Sequence, residues 1–209
     1  MGVLPGISGL VARRPKLALM GATASYGSAS GGTTYTATLA VGAAFANRIV
    51  VVGFSRYGSA GAYTEVKINN VVQDVITPSD SWSIGFVAAL VPAGTTISWS
   101  CKTASSSTRH ACAVWTADLG KPTFQFEIVA GESGLSGSIP THRGECLFGV
   151  SRMANTATYT WTGLDEDYDF SPGSSASFSA ASKIARGGDL PWEVVPSGGS
   201  PSAIITSLR

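Results

Sequence analysis

Residues 48–55 (RIVVVGFS) contain a continuous apolar run, rich in β-branched residues, and this run decides the fold class. Such a run is typical of a β-strand that is buried on both faces. Residues 64–68 and 71–76 bracket Asn69-Asn70 in the manner of a hairpin. Further strand-like runs, each bounded by Gly, Pro or Ser, lie at residues 33–41, 83–90, 96–101 and 109–116. Since helical periodicity is almost absent, we predict an all-β fold, an antiparallel β-sandwich of jelly-roll or immunoglobulin-like type.

The second half of the sequence repeats features of the first. GFSR at 53–56 is matched by GVSR at 149–152, 96 residues later. FVAA at 86–89 is matched by FSAA at 178–181, and Trp99 by Trp192. The matches keep one order, so we predict related halves at about 33–120 and 141–209, joined through residues 118–140. They form either two small sandwiches in tandem or one larger sandwich, and we favour the single sandwich at 21–209 because a strand buried on both faces needs a partner surface.

The composition excludes several classes of function. The 209 residues carry 14 Lys+Arg and 13 Asp+Glu, a net charge of +1, whereas nucleic-acid binding through bulk charge needs a clear basic excess. No stretch approaches the roughly 20 apolar residues of a transmembrane helix. We therefore expect no nucleic-acid partner and no membrane insertion.

The reactive side chains follow no catalytic or metal-binding pattern. His110 and His142 have no second His at ligand spacing, and we interpret them as surface or turn histidines. Cys101, Cys112 and Cys146 are an odd number without C-x-x-C spacing. Cys101 and Cys112 flank a Ser-rich turn, so they either pair across a hairpin or are small buried residues, which is the interpretation we favour. We expect no enzyme activity and no cofactor.

The acidic run LDEDYDF is the strongest local charge feature. Its carboxylates at Asp165, Asp167 and Asp169 have the alternating spacing of some calcium-binding loops. The run lacks the Gly and the distal Glu of a complete calcium loop. A solvated acidic loop or an interface with basic residues is the favoured interpretation; a calcium site and a glycosidase carboxylate pair are the alternatives.

Three aromatic residues fall where turn residues predict surface loops. Tyr57 and Tyr63 lie in SRYGSAGAY and Trp82 lies in PSDSWS. Loop aromatics stack on sugar rings or anchor protein interfaces. The three therefore either form a ligand or interface loop or cover the ends of the sandwich core.

The N-terminal 20 residues are the second candidate site. They are too broken by Pro and Gly for a stable helix and too apolar for a free tail. Such a segment gains stability by docking, either as an edge strand of its own domain or as an arm on another subunit. We favour an attachment arm at residues 1–20. Its contact residues would be Val3, Leu4, Ile7, Leu10, Val11, Arg13 and Arg14.

The chain resembles the Gly-, Ser-, Thr- and Ala-rich sandwich and jelly-roll proteins of tailed-bacteriophage virions and gene-transfer particles. The residues that carry the resemblance, within about 45–205, are RIVVVGFSR, FVAALVPAGTTISWS and ACAVWTADL, with their echoes ECLFGVSR and SFSAASKIARGGD. The resemblance implies a structural role in a virion assembled in the host cytoplasm, as capsid decoration, head spike or tail fibre. It also implies binding to capsid or tail proteins through an N-terminal segment, and homo-oligomers that are often trimers.

Two functions from different classes follow. The first is a non-enzymatic virion component that docks by its arm and exposes a β-sandwich. The second is a module that binds carbohydrate or a host receptor, through Tyr57, Tyr63 and Trp82. A head spike can combine both roles, with a surface glycan of the host as ligand.

Overall fold

The structure is a computed structural model that describes residues 15–26, 32–58, 63–77, 83–121, 123–130, 135–171, 176–199 and 201–209. These residues build an all-β protein of antiparallel strands, and the predicted β-sandwich is confirmed. Within these ranges no helix is long and apolar enough to cross a membrane.

The strands divide between the two halves of the chain. Those of the first half are β1 (Lys16–Tyr26), β2 (Gly32–Ala40), β3 (Arg48–Gly58), β4 (Tyr63–Ile68), β5 (Val71–Val72), β6 (Ile84–Leu90) and β7 (Thr96–Asp118). Those of the second half are β8 (Phe126–Ala130), β9 (Ser136–Thr141), β10 (Cys146–Met153), β11 (Tyr159–Thr162), β12 (Asp165–Phe170), β13 (Ser177–Ile184), β14 (Gly188–Pro196) and β15 (Ser202–Leu208).

Strand β7 connects two layers of the first half. Its first part, from Thr96, pairs with β2 and β4, and its last part, up to Asp118, pairs with β1 and β3. Strand β6 extends the second of these layers beyond β3. The sequence pattern predicts two strands separated by a Ser-rich turn, whereas the structure has one strand of 23 residues.

The second half repeats this arrangement with separate strands. Strand β10 pairs with β13 and β15, and β15 also pairs with β8. Strand β14 pairs with β9 and β11. Each of these pairings has a counterpart in the first half, with β10 in the place of β3 and β8, inside the predicted linker, in the place of β1. The second half also pairs β12 with β13, where the described part of the first half has only a bridge between Ile76 and Phe86.

Four layers enclose three apolar cores. The central core lies between the inner layers of the two halves, and each outer core lies between the inner and outer layer of one half. Strand β3 serves two of them, because Ile49 and Val51 face the central core while Val50 and Val52 face the first outer core. The expectation that residues 48–55 are buried on both faces is confirmed. The two halves pack against each other through the central core, and each half is also a two-layer unit.

The register of the repeat differs from the sequence match by one residue. A Cβ at Gly53 would lie 2.7 Å from Val150 Cγ1 across the central core, whereas one at Gly149 would lie 2.8 Å from Trp161 Cζ3 in the second outer core. Gly53 and Gly149 thus face opposite sides of their layers. The N–H of Val91 donates to the Arg48 carbonyl at 2.8 Å where that of Ala185 donates to the Glu145 carbonyl, so Arg48 corresponds to Glu145 and Gly53 to Val150. A shift of one residue exchanges the two faces of a strand, so the spacing of 96 is wrong for the fold.

A buried guanidinium closes one end of the first outer core. Arg48 is fully buried and donates to the carbonyls of Val91, Val41, Gly42, Ala43, Ala93 and Gly94 at 2.6–3.2 Å. These carbonyls belong to the two loops that enter β3 and leave β6. In the second half Glu145 takes the corresponding place, where its Oε2 accepts the backbone N–H of exposed His142 at 2.8 Å.

Arg48→Met is expected to lower the free energy of unfolding by about 3 kcal/mol, because buried carbonyls would lose their donors. Arg48→Lys should recover only part of the loss, since an ammonium cannot reach both loops. Urea unfolding followed by tryptophan fluorescence measures the change. Arg186→Met, at an exposed position, is the matched control and should leave stability unaltered. Equal stabilities of Arg48→Met and the native protein would contradict the role of Arg48.

Candidate functional site

The attachment residues predicted from the sequence lie outside the described residues. They are Val3, Leu4, Ile7, Leu10, Val11, Arg13 and Arg14. Residues 16–20, which the predicted arm 1–20 also included, form the first part of β1 and pair with β7 of the same chain. Among the described residues, the first strand therefore begins at Lys16 and not after residue 20.

Tyr57 and Tyr63 lie in strands β3 and β4 and not in the predicted surface loop. Tyr57 is 5% exposed, and its hydroxyl donates to the carbonyl of Ser177. The Tyr63 ring packs edge-on against Phe54, with 4.8 Å between centroids. Trp82 lies outside the described residues. Tyr57 and Tyr63 thus cover core ends, which was the second interpretation of these aromatics, and the buried ring of Tyr57 has no face for a sugar.

Tyr57, Arg152, Tyr159 and Ser177 form a polar group between the two halves, called here the junction cluster. The Ser177 carbonyl accepts the hydroxyl of Tyr57, and Ser177 Oγ accepts that of Tyr159 at 2.9 Å. Arg152 Nη1 donates to the carbonyl of Arg56 at 3.2 Å, and its guanidinium lies 5.3 Å from the Tyr57 ring centroid. Burial raises the pKa of Tyr159 to about 12, so its hydroxyl keeps its proton at neutral pH. The cluster ties the first half to the second.

The acidic run forms edge strand β12 and not a loop. Asp167 Oδ2 accepts from Trp115 Nε1 at 2.8 Å, a bond that joins the two halves. Asp169 Oδ2 accepts from the backbone N–H of Tyr159 at 2.9 Å, and Asp165 lies 3.5 Å from Lys183. The three carboxylates have three different partners, and the described part of the chain contains no group of three or more residues placed to hold a metal ion.

His110 lies within β7, where its ring is buried, and is therefore not the surface or turn residue that the sequence predicted. The ring stacks on Tyr35 with 4.7 Å between centroids, and Nδ1 lies 3.7 Å from Cys101 Sγ. Burial, reinforced by the charge of Arg56, lowers the pKa of His110 to about 4, so the ring is neutral at pH 7. All three cysteines are buried free thiols: Cys101, Cys112 and Cys146. Burial raises the pKa of Cys146 to about 12, so it is a thiol at neutral pH.

Sequence reasoning missed Arg152 and the partner of Asp167. Arg152 follows Phe148 and Val150 at the two-residue spacing of one strand face, so the pattern places a cation on the face of the central core. That signal is readable only once the register of the repeat is known. The bond between Asp167 and Trp115 spans 52 residues, and no local pattern predicts it.

Comparison with known proteins identifies no family for this chain. The sequence matches no known protein family and no characterised protein. One solved structure, the crystal structure of PBSX exported protein XepA, aligns with 93% of this chain and 86% of that chain, at 9% identity and a TM-score of 0.28. A TM-score this low supports no conclusion about the fold or the function of this chain.

Tyr57→Phe is expected to lower the free energy of unfolding by about 1 kcal/mol, because the buried Ser177 carbonyl loses a hydrogen bond. Chemical denaturation measures the loss. Tyr168→Phe alters a tyrosine that is 37% exposed and should be neutral, which makes it the matched control. A neutral Tyr57→Phe would show that its hydroxyl does not help to join the halves.

Asp167→Asn is expected to stabilise the protein most at pH 7–8, with the gain falling as the pH approaches about 4, the ordinary pKa of Asp. Burial raises the pKa of Asp167 above that value, with Asp165 adding to the rise. The folded state thus binds this proton more tightly than the unfolded state, so ionisation of Asp167 opposes folding above its folded pKa and ceases to do so below the ordinary value.

The asparagine Oδ1 can still accept from Trp115, so we expect a gain within about 1 kcal/mol. Unfolding curves of the variant and the native protein, recorded across pH 4–8, measure the difference, which cancels contributions from other groups. Asp189→Asn, at an exposed position, is the control. A gain that grows toward low pH would contradict the raised pKa of Asp167.

Proposed function

We propose that the protein is a non-enzymatic structural component of a bacteriophage-type virion. In this proposal it is a capsid decoration, head spike or tail-fibre part that attaches through the residues before β1 and exposes its sandwich. It would bind other virion proteins and assemble as a homo-oligomer, such as a trimer. The proposal combines the sequence resemblance with the arrangement of the layers.

The proposal rests mainly on one observation: reactive and ionisable side chains of the protein are engaged in internal contacts. Asp167 binds an indole across the halves, His110 is buried as a neutral ring, and Arg48 holds two loops. In an enzyme such groups face a cleft with shifted pKa values suited to proton transfer. Here the burial that shifts the pKa values also places these groups inside contacts between layers, as a rigid scaffold requires.

The start of β1 supports attachment at that end of the chain. Lys16 begins an edge strand beside a cleft of about 660 Å³, whose lining includes Leu17, Phe45 and Ile184. The residues that precede Lys16 in the chain are the apolar residues of the predicted attachment segment. An apolar segment that leaves the domain beside an edge strand can add to a neighbouring subunit by strand pairing.

Deletion of residues 2–14 is expected to abolish incorporation into particles while leaving the domain folded. Particles from a producing strain that expresses the tagged full chain are separated on a density gradient, and the tag is detected across the fractions. Circular dichroism and thermal unfolding of the purified deletion variant check its fold. Serine at Val3, Leu4, Ile7, Leu10 and Val11 is the matched variant that keeps the length and the charges.

We expect the full chain to sediment with particles and both variants to remain at the top of the gradient. Incorporation of the deletion variant would contradict attachment through this segment. Failure of the full chain to sediment with particles would contradict the virion role itself.

A further inference from the structure

Arg152 is a charged group between the two halves whose hydrogen-bond donors are only partly satisfied. A guanidinium has five N–H donors. Within the described part of the chain, Nη1 donates to the Arg56 carbonyl at 3.2 Å, while Nε is buried without an acceptor. The side chain as a whole is only partly buried, so solvent reaches it at the end of the central core. Arg48, in contrast, donates from all three of its nitrogens to carbonyls.

Within the described ranges, no ion pair to a carboxylate involves Arg152. The ion pairs found among the described residues join Lys67 to Glu65, Lys183 to Asp165, and Arg209 to Glu127 and Glu145. The other groups that face Arg152 are the tyrosines Tyr57, Tyr63 and Tyr159 and a second cation, Arg56. Burial lowers the pKa of Arg152, and the charge of Arg56 lowers it further. A cation that is partly withdrawn from water without a paired carboxylate carries a desolvation cost, and such sites are often sites of function.

The surroundings hold the guanidinium in place. Its carbon lies 5.3 Å from the centroid of the Tyr57 ring, within the range of a cation–π contact. The Tyr57 hydroxyl is bound to Ser177, whose Oγ lies 2.9 Å from the Tyr159 hydroxyl and donates to the Asn155 carbonyl at 2.8 Å. Both halves thus contribute to one pre-organised cation, and pre-organisation reduces the entropy lost on binding.

We propose that Arg152, at the junction of the two halves, binds the carboxylate group of an acidic ligand. The planar fork of a guanidinium matches a carboxylate bidentately, and the bound anion would supply the missing counterion. The chemistry is that of a carboxylate, whether it is carried by a sugar acid or by a simple organic acid. The site does not depend on the proposed virion role, because it rests on different residues and needs no attachment segment.

The test is a titration of the full chain with sodium glucuronate, sodium acetate and, as a neutral sugar, glucose, at constant ionic strength. Isothermal titration calorimetry gives the affinities, and thermal unfolding gives the stabilisation. We expect glucuronate to bind and glucose not to bind. Tighter binding of glucuronate than of acetate assigns the site to sugar acids, and equal binding assigns it to the carboxylate alone.

Arg152→Gln is expected to weaken glucuronate binding at least tenfold, and Arg152→Lys should weaken it as well, because the ammonium lacks the fork. Arg209→Gln removes an arginine that already pairs with Glu127, and should bind as the native protein does. Unchanged binding by Arg152→Gln, or no binding of either carboxylate by the native protein, would overturn the proposal.

Arg152→Met separates a binding role from a structural one. If the charge serves a ligand, its removal relieves a buried cation, and the ligand-free variant should unfold at or above the temperature of the native protein. If Arg152 mainly caps the core through the Arg56 carbonyl, the variant should unfold several degrees lower, and this result would count against the proposal. Circular dichroism confirms that each variant is folded before its binding is compared.

Discussion

The close packing of β3 against β10 across the central core is the constraint on which the rest of the structure depends. A Cβ at Gly53 would lie 2.7 Å from both Val150 Cγ1 and Phe86 Cε1, closer than a side chain tolerates. The inner layers therefore approach each other at a residue without a side chain, and Trp115 and Phe148 fill the space beside it. An inner layer covered in this way has a second apolar face, which needs an outer layer of its own. The four layers follow from two strands that are apolar on both faces.

Burial of both faces of the inner layers limits where polar groups can go. Ladder hydrogen bonds satisfy the backbone inside each layer, so polar side chains are needed mainly where strands end and layers meet. Arg48 closes a loop end, Tyr57 joins the halves through Ser177, and Asp167 joins them through Trp115. Small hydroxyl side chains are tolerated inside, and buried positions include Ser151, Ser179 and Thr206. A chain built in this way needs few charges, which agrees with its 13% of charged residues.

The sequence predicts the fold class because the burial of a strand on both faces is a local property. Residues 48–55 show it without any knowledge of partners. The sequence also indicates the repeat but not its register. GFSR and GVSR are similar in sequence, yet Gly53 and Gly149 face different cores. The turn residues after Tyr57 suggested a loop, yet β3 continues to Gly58 because β7 supplies a partner for its whole length. The serines within β7 likewise predict a turn, since local propensity does not reveal pairing with distant strands. Contacts between the halves, such as that of Asp167, depend on the assembled layers and leave no local signal.

A comparison of corresponding positions in the two halves shows which polar side chains the shared topology requires. With the corrected register, Arg48 corresponds to Glu145, and both are buried and bind a neighbouring loop. The fold thus needs a polar side chain at this position but sets no sign for its charge. Arg152 corresponds to Ser55, because each lies seven residues after the strand-entry residue, Glu145 or Arg48, whose carbonyl accepts the equivalent backbone bond from Ala185 or Val91. The first half forms the same pairings with a small buried serine there. The shared topology therefore does not require a cation at position 152, and Arg152 contacts Arg56 and Tyr57 of the first half.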